Sequence, residues 1–300
     1  MHRPLGCSIA LIVLVVLSLP DTGAAVPVRC LGAAEEFVIL GLGGDLNVHG
    51  ELIINSATSI IGRVGYGAYI DSTTNKKVDL FEGEALVHSK ANFSYTPATF
   101  NPTGGILTGP AVDAKLDQAT ADALAASAMF AGMAATHTLP ALGDDDSVTV
   151  VSTGAVNVIS LPSLNYKSDT LTIESRPGFE DCFVFNVAGD FKFAQSNIVL
   201  TGTRPSYVLF NFLDPDASIS IYKAESVFYG TILAPGSTVD VEYHNPATFE
   251  GAIIAYNINL HSDFNIKHES FVPEPSTLLL ACVGGLAALK RRVKIRPRRP

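Results

Sequence analysis

Few residues in this chain have the types and spacing that chemistry requires. His244 follows Asp240 by four positions, and His261-Ser262-Asp263 run together in a polar turn. A nucleophile, a base and an orienting acid must converge in space, and adjacency in sequence does not supply that. Surface loop residues are the plainer reading. No Gly-x-Ser-x-Gly, His-Glu-x-x-His or Gly-x-x-x-x-Gly-Lys-[Ser/Thr] occurs, so hydrolase elbows, zinc-protease helices and phosphate loops are excluded. Asp144-Asp145-Asp146 and Asp214-Pro215-Asp216 are rich in carboxylate oxygen. Neither has the Asp-x-Asp-x-Asp-Gly spacing of a calcium loop, and both read as solvated acidic turns. These patterns lead to the expectation of no catalytic residue, no metal site and no cofactor: a protein that is not an enzyme.

Four cysteines are present, two of them (Cys7 and Cys282) in the terminal segments. Without a Cys-x-x-Cys, zinc and thioredoxin-type chemistry fall away. Cys30 and Cys182 remain. In an oxidising compartment a Cys30–Cys182 disulfide is one reading, and closing so long a loop adds about 4–5 kcal/mol in the chain-entropy model. A buried thiol at Cys182, within its apolar strand, is the other. Tyr66, Tyr229, Tyr243 and Tyr256 are candidates for stacking on sugars. Asn92-Phe93-Ser94 fits a glycosylation sequon.

Charge limits the partners. The 300 residues carry a formal net charge of -9. Between residues 25 and 273 there are 12 bases and 27 acids. A body this acidic argues against a nucleic-acid partner, which needs clustered Lys and Arg. Hydrophobic residues at 47% exclude bulk disorder.

The two ends differ from the body. His2 and Arg3 precede an apolar run from Ile9 to Leu19, and Thr22-Gly23-Ala24 places small residues at a cleavage position. Residues 1–24 therefore read as a secretory signal peptide. At the other end, Pro273 and Pro275 flank Glu274 and forbid helix there. Thr277–Leu289 is apolar but 13 residues long, and Lys290-Arg291-Arg292 follow at once. A spanning helix needs about 20 residues. The stretch reads as a short transmembrane segment with its basic end held on the cytoplasmic side.

In that order of parts, residues 272–300 resemble the PEP-CTERM sorting signal of exosortase-processed bacterial proteins, with Pro273, Glu274 and Pro275 matching the sorting motif. The resemblance implies transient contact with the inner membrane and an exosortase, removal of the tail, and a final location in the cell envelope or outside the cell.

The body, residues 25–271, is punctuated by glycine and β-branched residues. Phe37–Leu40, Leu46–Val48, Glu51–Ile54, Ser147–Val151, Ala155–Ile159, Leu171–Ile173, Cys182–Val187, Asn197–Leu200, Tyr207–Phe212 and Ser218–Tyr222 read as strands. One helix is expected over about residues 112–135, where Leu116, Ala119, Ala123, Ala126, Phe130 and Met133 recur at helical spacing. Gly62, Gly230 and Gly251 open a faint repeat of the form Gly-x-[Val/Ile]. The step from Gly230 to Gly251 suits one coil of a solenoid. The fold class is mainly β, a β-solenoid with one helix packed alongside.

The order of these pieces resembles the choice-of-anchor A domain of bacterial surface proteins. The carrying residues are Phe37–Leu40, Gly44–Val48, Gly62-Arg63-Val64, the Ala-rich helix, Leu209–Ala217, Tyr229–Pro235 and Phe249–Ala255. Where that family often has Trp before an Asn-Phe pair, this chain has Phe210. The resemblance implies an adhesive, ice-binding-like β-helix. Three functions follow: a surface or matrix protein with an adhesive, biofilm-structural role; a module binding exopolysaccharide, cell-surface glycans or ice; and a β-helix enzyme acting on polysaccharide. Thr170/Thr172 and Thr201/Thr203 are the threonines considered for an ice face, without a regular ladder.

Overall fold

The computed structural model describes residues 30–44, 47–55, 57–74, 78–97, 99–222, 226–242, 247–261 and 264–272. The signal peptide, the sorting residues Pro273, Glu274 and Pro275, the apolar segment 277–289, Tyr243, His244, Ser262 and Asp263 lie outside them.

Within these residues the chain is a parallel β-solenoid with a helix on one face. Three coils come first: β1 (Phe37–Gly41), β2 (Gly50–Ile54) and β3 (Ala57–Ile61); β4 (Arg63–Tyr66), β5 (Ile70–Thr74) and β6 (Val78–Glu82); β7 (Ala85–Val87), β8 (Asn92–Tyr95) and β9 (Ile106–Leu107). The helix α1 (Pro110–Ala131) follows. Next come β10 (His137–Thr138) and β11 (Val148–Val151); then β12 (Val156–Leu161), β13 (Leu164–Lys167) and β14 (Thr170–Glu174); then β15 (Cys182–Val187), β16 (Phe191–Ala194) and β17 (Asn197–Thr201). The chain closes with β18 (Val208–Phe212), β19 (Ser218–Tyr222), β20 (Val227–Glu242), β21 (Ala247–His261) and β22 (Phe264–His268).

These strands build three parallel sheets, and β20 and β21 are long enough to serve all three. The first sheet runs β10-β12-β15-β18-β20-β21-β1-β4-β7-β9. The second runs β13-β16-β19-β20-β21-β2-β5-β8. The third runs β11-β14-β17-β20-β21-β22-β3-β6. Stacking order is therefore not chain order. The first three coils pair onto the last one, with Ile39 beside Ile253. The helix, about 33 Å long at 1.5 Å per residue, returns the chain to the far end of the stack.

Period-2 alternation drives the coils. Inward positions fill the interior, where Phe185 and Phe210 stack at 4.8 Å and Phe228 and Phe249 at 4.8 Å, with Phe264 6.0 Å beyond. The first sheet is apolar on both sides, because its outer face receives the helix. Leu116, Ala119, Ala123, Ala126 and Phe130 pack there against Leu40, Leu209, Leu233 and Ile254. Its strands consequently read as continuous apolar runs.

The helix is shifted from the expected 112–135. Pro110 stands at its first turn, where a missing N–H costs nothing. Gly132 ends it, donating to the carbonyls of Ala128 and Met129, and leaves Met133 outside. Its C-terminal carbonyls meet a ladder of two asparagines in register, Asn186 and Asn211. Asn186 donates to the Phe130 carbonyl at 2.8 Å and Asn211 to that of Ser127 at 3.1 Å. Asn211 also donates to Asn186 Oδ1 at 2.9 Å and accepts from Ser127 Oγ at 2.7 Å. The strand expected at Leu46–Val48 is corrected: Asn47 and Val48 form a bend, and pairing starts at Gly50.

The glycine repeat marks one corner. Gly230 and Gly251 are register partners, and Gly62 and Gly83 sit at the same passage from the third sheet to the first. All four have positive φ, from 125° to 157°.

Candidate functional site

The outward side of the third sheet carries one charged residue, Glu174, on β11, β14 and β17, and Glu250, Lys267, Asp79 and Glu82 farther along, on β21, β22 and β6. On β11, β14 and β17 alternate residues point out: Thr149 and Val151; Thr170, Thr172 and Glu174; Asn197, Val199 and Thr201. Register brings them into rows. Thr149 sits beside Thr172 and Thr172 beside Val199; Thr170 sits beside Asn197 and Val151 beside Glu174. Val227 continues the second row beside Asn197, and Thr248 follows beside Val227. Val151 and Val199 are exposed large apolar residues. The rows hold a threonine pair, not a repeating threonine ladder. Thr203 does not join them: it lies past β17 and its hydroxyl donates to the Asp181 carbonyl at 3.0 Å.

The second sheet presents different chemistry. Its outward rows carry Lys192, Asp240 and Glu51, and side-chain bonds join β20 to β21. Asn257 donates to Thr238 Oγ1 at 2.9 Å and Asn259 to Asp240 Oδ1 at 2.8 Å. Asp240 is thereby held by a neighbouring rung. His261, in the same sheet, pairs with the Asn55 amide at 3.0 Å.

The acidic runs close turns. Asp146 accepts the Gly143 N–H at 2.8 Å, and Asp169 accepts the Asp145 N–H at 3.2 Å. Asp214 accepts from the Asp216 N–H at 3.0 Å. Among the described residues no three His, Cys, Asp or Glu side chains gather as a metal-ion site, and no helix is long and apolar enough to cross a membrane.

The tyrosines separate. Tyr66 is buried, with its ring 4.7 Å from Phe93, so the expectation that it stacks on a ligand is corrected: inward alternation on β4 puts it in the core. Tyr229 is half-buried on β20. Tyr256 donates to the Val48 carbonyl at 3.1 Å beside the helix.

Cys30 and Cys182 both carry thiols and both pack into the layer between helix and first sheet. Burial pushes the Cys182 thiol well above its ordinary range, and the nearby Cys30 and Asp181 add to the effect. Asp181 is 1% exposed. Burial opposes its charge, but Arg176, bonding it through Nε and Nη2, holds its carboxyl below the usual range.

Sequence reasoning weighed Thr170, Thr172, Thr201 and Thr203 for an ice face and saw no ladder in them; it did not single out Thr149, Val151 and Val199. The signal was available in the alternation Val-Thr-Val-Val and Asn-Ile-Val-Leu-Thr; the register that joins them was not.

The family model described as "Putative Ice-binding-like adhesive domain" matches residues 29–266, and the PEP-CTERM protein-sorting motif matches residues 271–295. No curated protein matches the chain. Among solved structures, the DUF3494 domain of the Shewanella frigidimarina ice-binding protein_1 is similar at 17% identity and TM-score 0.50, covering 81% of this chain and 96% of that one. An ice-binding protein from an Antarctic biological consortium is 18% identical at TM-score 0.48, with 82% and 94% covered. The first of these bears out the β-solenoid with its helix. The match names the ice-binding-like class and not choice-of-anchor A specifically, since corner glycines and apolar coils belong to the solenoid at large. The chain thus belongs to the ice-binding-like adhesive domain family and ends in a PEP-CTERM protein-sorting motif.

Proposed function

We infer that this protein is an exported adhesion module that works without catalysis. An N-terminal signal peptide (1–24) and the tail (272–300) route it through the inner membrane, where an exosortase acts on Pro273-Glu274-Pro275. The body (25–271) then lays its third sheet on an extended surface in the envelope or matrix. The carrying observation is the patch of Thr149, Thr170, Thr172 and Thr201 with Val151 and Val199. Strand geometry spaces such side chains by about 4.8 Å across strands and about 6.7 Å along them. β-branched side chains lose little rotamer freedom on contact. A flat, repeating partner such as a polysaccharide fits this face, whereas a small ligand requires a concave site. Tyr229 adds an aromatic edge suited to sugar rings.

Pull-down of the full chain on insoluble polysaccharide tests the reading. The double change Thr149→Lys and Thr172→Lys is expected to lower retention at least about tenfold, since each places a hydrated charge on the patch. Undiminished retention would move the adhesive face elsewhere.

Ice is a second reading, favoured by the in-register Thr149–Thr172 pair. Enrichment of the chain in slowly grown ice supports it; partition no better than that of an unrelated acidic protein discards it.

A further inference from the structure

The chain ahead of β1 runs along the helix toward the far half of the stack. Glu36 bonds Lys115 and Arg63 near the start of α1. Three residues earlier, the Ala33 N–H donates to Asp122 Oδ2 at 2.7 Å. Going back from Glu36 to Ala33 thus moves the contact from Lys115 to Asp122, about 10 Å along the helix at 1.5 Å per residue. Gly32 lays its backbone on the same carboxylate, where an added Cβ would stand 2.2 Å from Asp122 Oδ2. Leu31 is fully buried, and Cys30 packs with it in the layer between helix and first sheet. The last turn of α1 lies over β15, where Asn186 holds the Phe130 carbonyl at 2.8 Å. Cys182 opens that same strand, on the face turned to the helix.

The two thiols differ in access. Cys182 is 3% exposed, whereas Cys30 is half-buried. Burial keeps Cys182 protonated, and the charge that Cys30 would carry beside it acts in the same direction. Thiolates, and not thiols, attack disulfides, and they must be reachable to do so. Cys30 therefore meets an external oxidant first, and Cys182 is shielded from everything except its neighbour.

We propose that Cys30 and Cys182 form a disulfide in an oxidising compartment, with Cys30 as the attacking thiol and Cys182 as the resolving one. The oxidant is a disulfide, carried by a small molecule or by a dithiol-oxidising protein. Cys30 gives up its proton to water and its thiolate attacks one sulfur of that disulfide. The first sulfur–sulfur bond breaks, a mixed disulfide forms on Cys30, and one thiolate of the oxidant leaves. Cys182 then loses its proton and attacks the Cys30 sulfur, and the second thiolate of the oxidant leaves. The chain has lost two electrons and two protons, and the oxidant's disulfide has become two thiols. The bond closes a loop of about 150 residues that holds the first three coils and all of α1. It staples the segment ahead of β1 to a strand of the far half of the stack. The oxidising location rests on the export reading above; the pairing does not.

The test starts from the reduced full chain, folded in detergent micelles and exposed to oxidised glutathione. Non-reducing tryptic mapping is expected to show residues 30–63 linked to residues 168–192, and Tm is expected to rise by at least about 5 °C. Two variants read the order of attack. Cys182→Ala should trap glutathione on Cys30. Cys30→Ser should leave Cys182 a thiol under the same exposure, because nothing else reaches it. A folded, unaltered chain that ends with glutathione on Cys30 and a thiol at Cys182 overturns the proposal. So does linkage that appears only after denaturation, or linkage without a rise in Tm. Glutathione on Cys182 in Cys30→Ser overturns the assigned order. Mapping the chain recovered from cells, with thiols blocked at lysis, separates the two readings. Reduced cysteines in cells together with linkage by glutathione in vitro retire the oxidising location and keep the pair. Failure to link in vitro retires the pair wherever the chain is found.

Discussion

A Cβ built on Gly251 would stand 1.8 Å from the Gly230 carbonyl oxygen, and one on Gly83 would stand 2.0 Å from that of Gly62. Neighbouring coils touch backbone to backbone at this corner, so the clash cannot be relieved by turning a side chain. Overpacking costs about 1–3 kcal/mol and an unfavourable φ about as much again. Gly251→Ala is therefore expected to destabilise by about 3 kcal/mol or more, seen as a fall of about 10 °C in Tm for a domain of this size. Gly154, with nothing within 4 Å of an added Cβ, is the control; Gly154→Ala should stay within about 0.5 kcal/mol. If both variants melt alike, the corner is not what constrains Gly251.

At the scale of elements, the helix depends on polar groups in an otherwise apolar layer. Asn211 bonds Ser127 twice and Asn186 once. Removing its amide leaves buried partners unsatisfied, at about 1–3 kcal/mol each. Asn211→Ala is expected to cost about 2–3 kcal/mol in denaturant unfolding and to raise hydrogen exchange in the last turns of α1 before that of the coils. Uniform loss of protection would show that the helix and the first sheet unfold as one unit. Much at this scale was legible in the sequence. The stripe from Leu116 to Phe130 has helical spacing, and Cys182–Val187 was bounded correctly because an apolar run between turn residues is a strong strand signal. Short strands such as β7, β13 and β16 escaped, since three or four residues hardly establish a period. The threonine patch was half visible: Thr170 and Thr172 alternate within one strand, but their neighbour Thr149 belongs to the preceding coil and is assigned by pairing, not by local pattern.

For the whole molecule, pH acts through groups that folding has displaced in one direction. His268 is held below the ordinary histidine value of 6.5, mainly by burial, with its Nε2 2.9 Å from the Glu35 carbonyl. Glu36 lies below its ordinary 4.5 despite burial, because Lys115 and Arg63 bond it. Asp181 lies below 3.8 for the parallel reason. In each case the unfolded chain binds the proton more readily, so stability is retained at higher pH and lost as pH falls. The expected profile loses stability first as pH drops through about 6.5, through His268, and again below about 4.5, through Glu36 and then Asp181. His268→Gln should remove the first step and leave the second. A first step that survives the change would assign it to another group.

The pairing of β1 with β21 joins residues more than two hundred positions apart. A chain threaded out of a cell from its N-terminus presents β1 to β3 long before residues 247–268 emerge. Until then those coils have an unpaired upper edge and no platform. The strands that close them, β21 and β22, finish at His268, a few residues ahead of Pro273. On the export route proposed above, completion of the body and arrival of the tail at the membrane would fall at nearly the same moment, and the order of stacking would work as a timer: the fold would stay open while the chain is moving and shut as it stops.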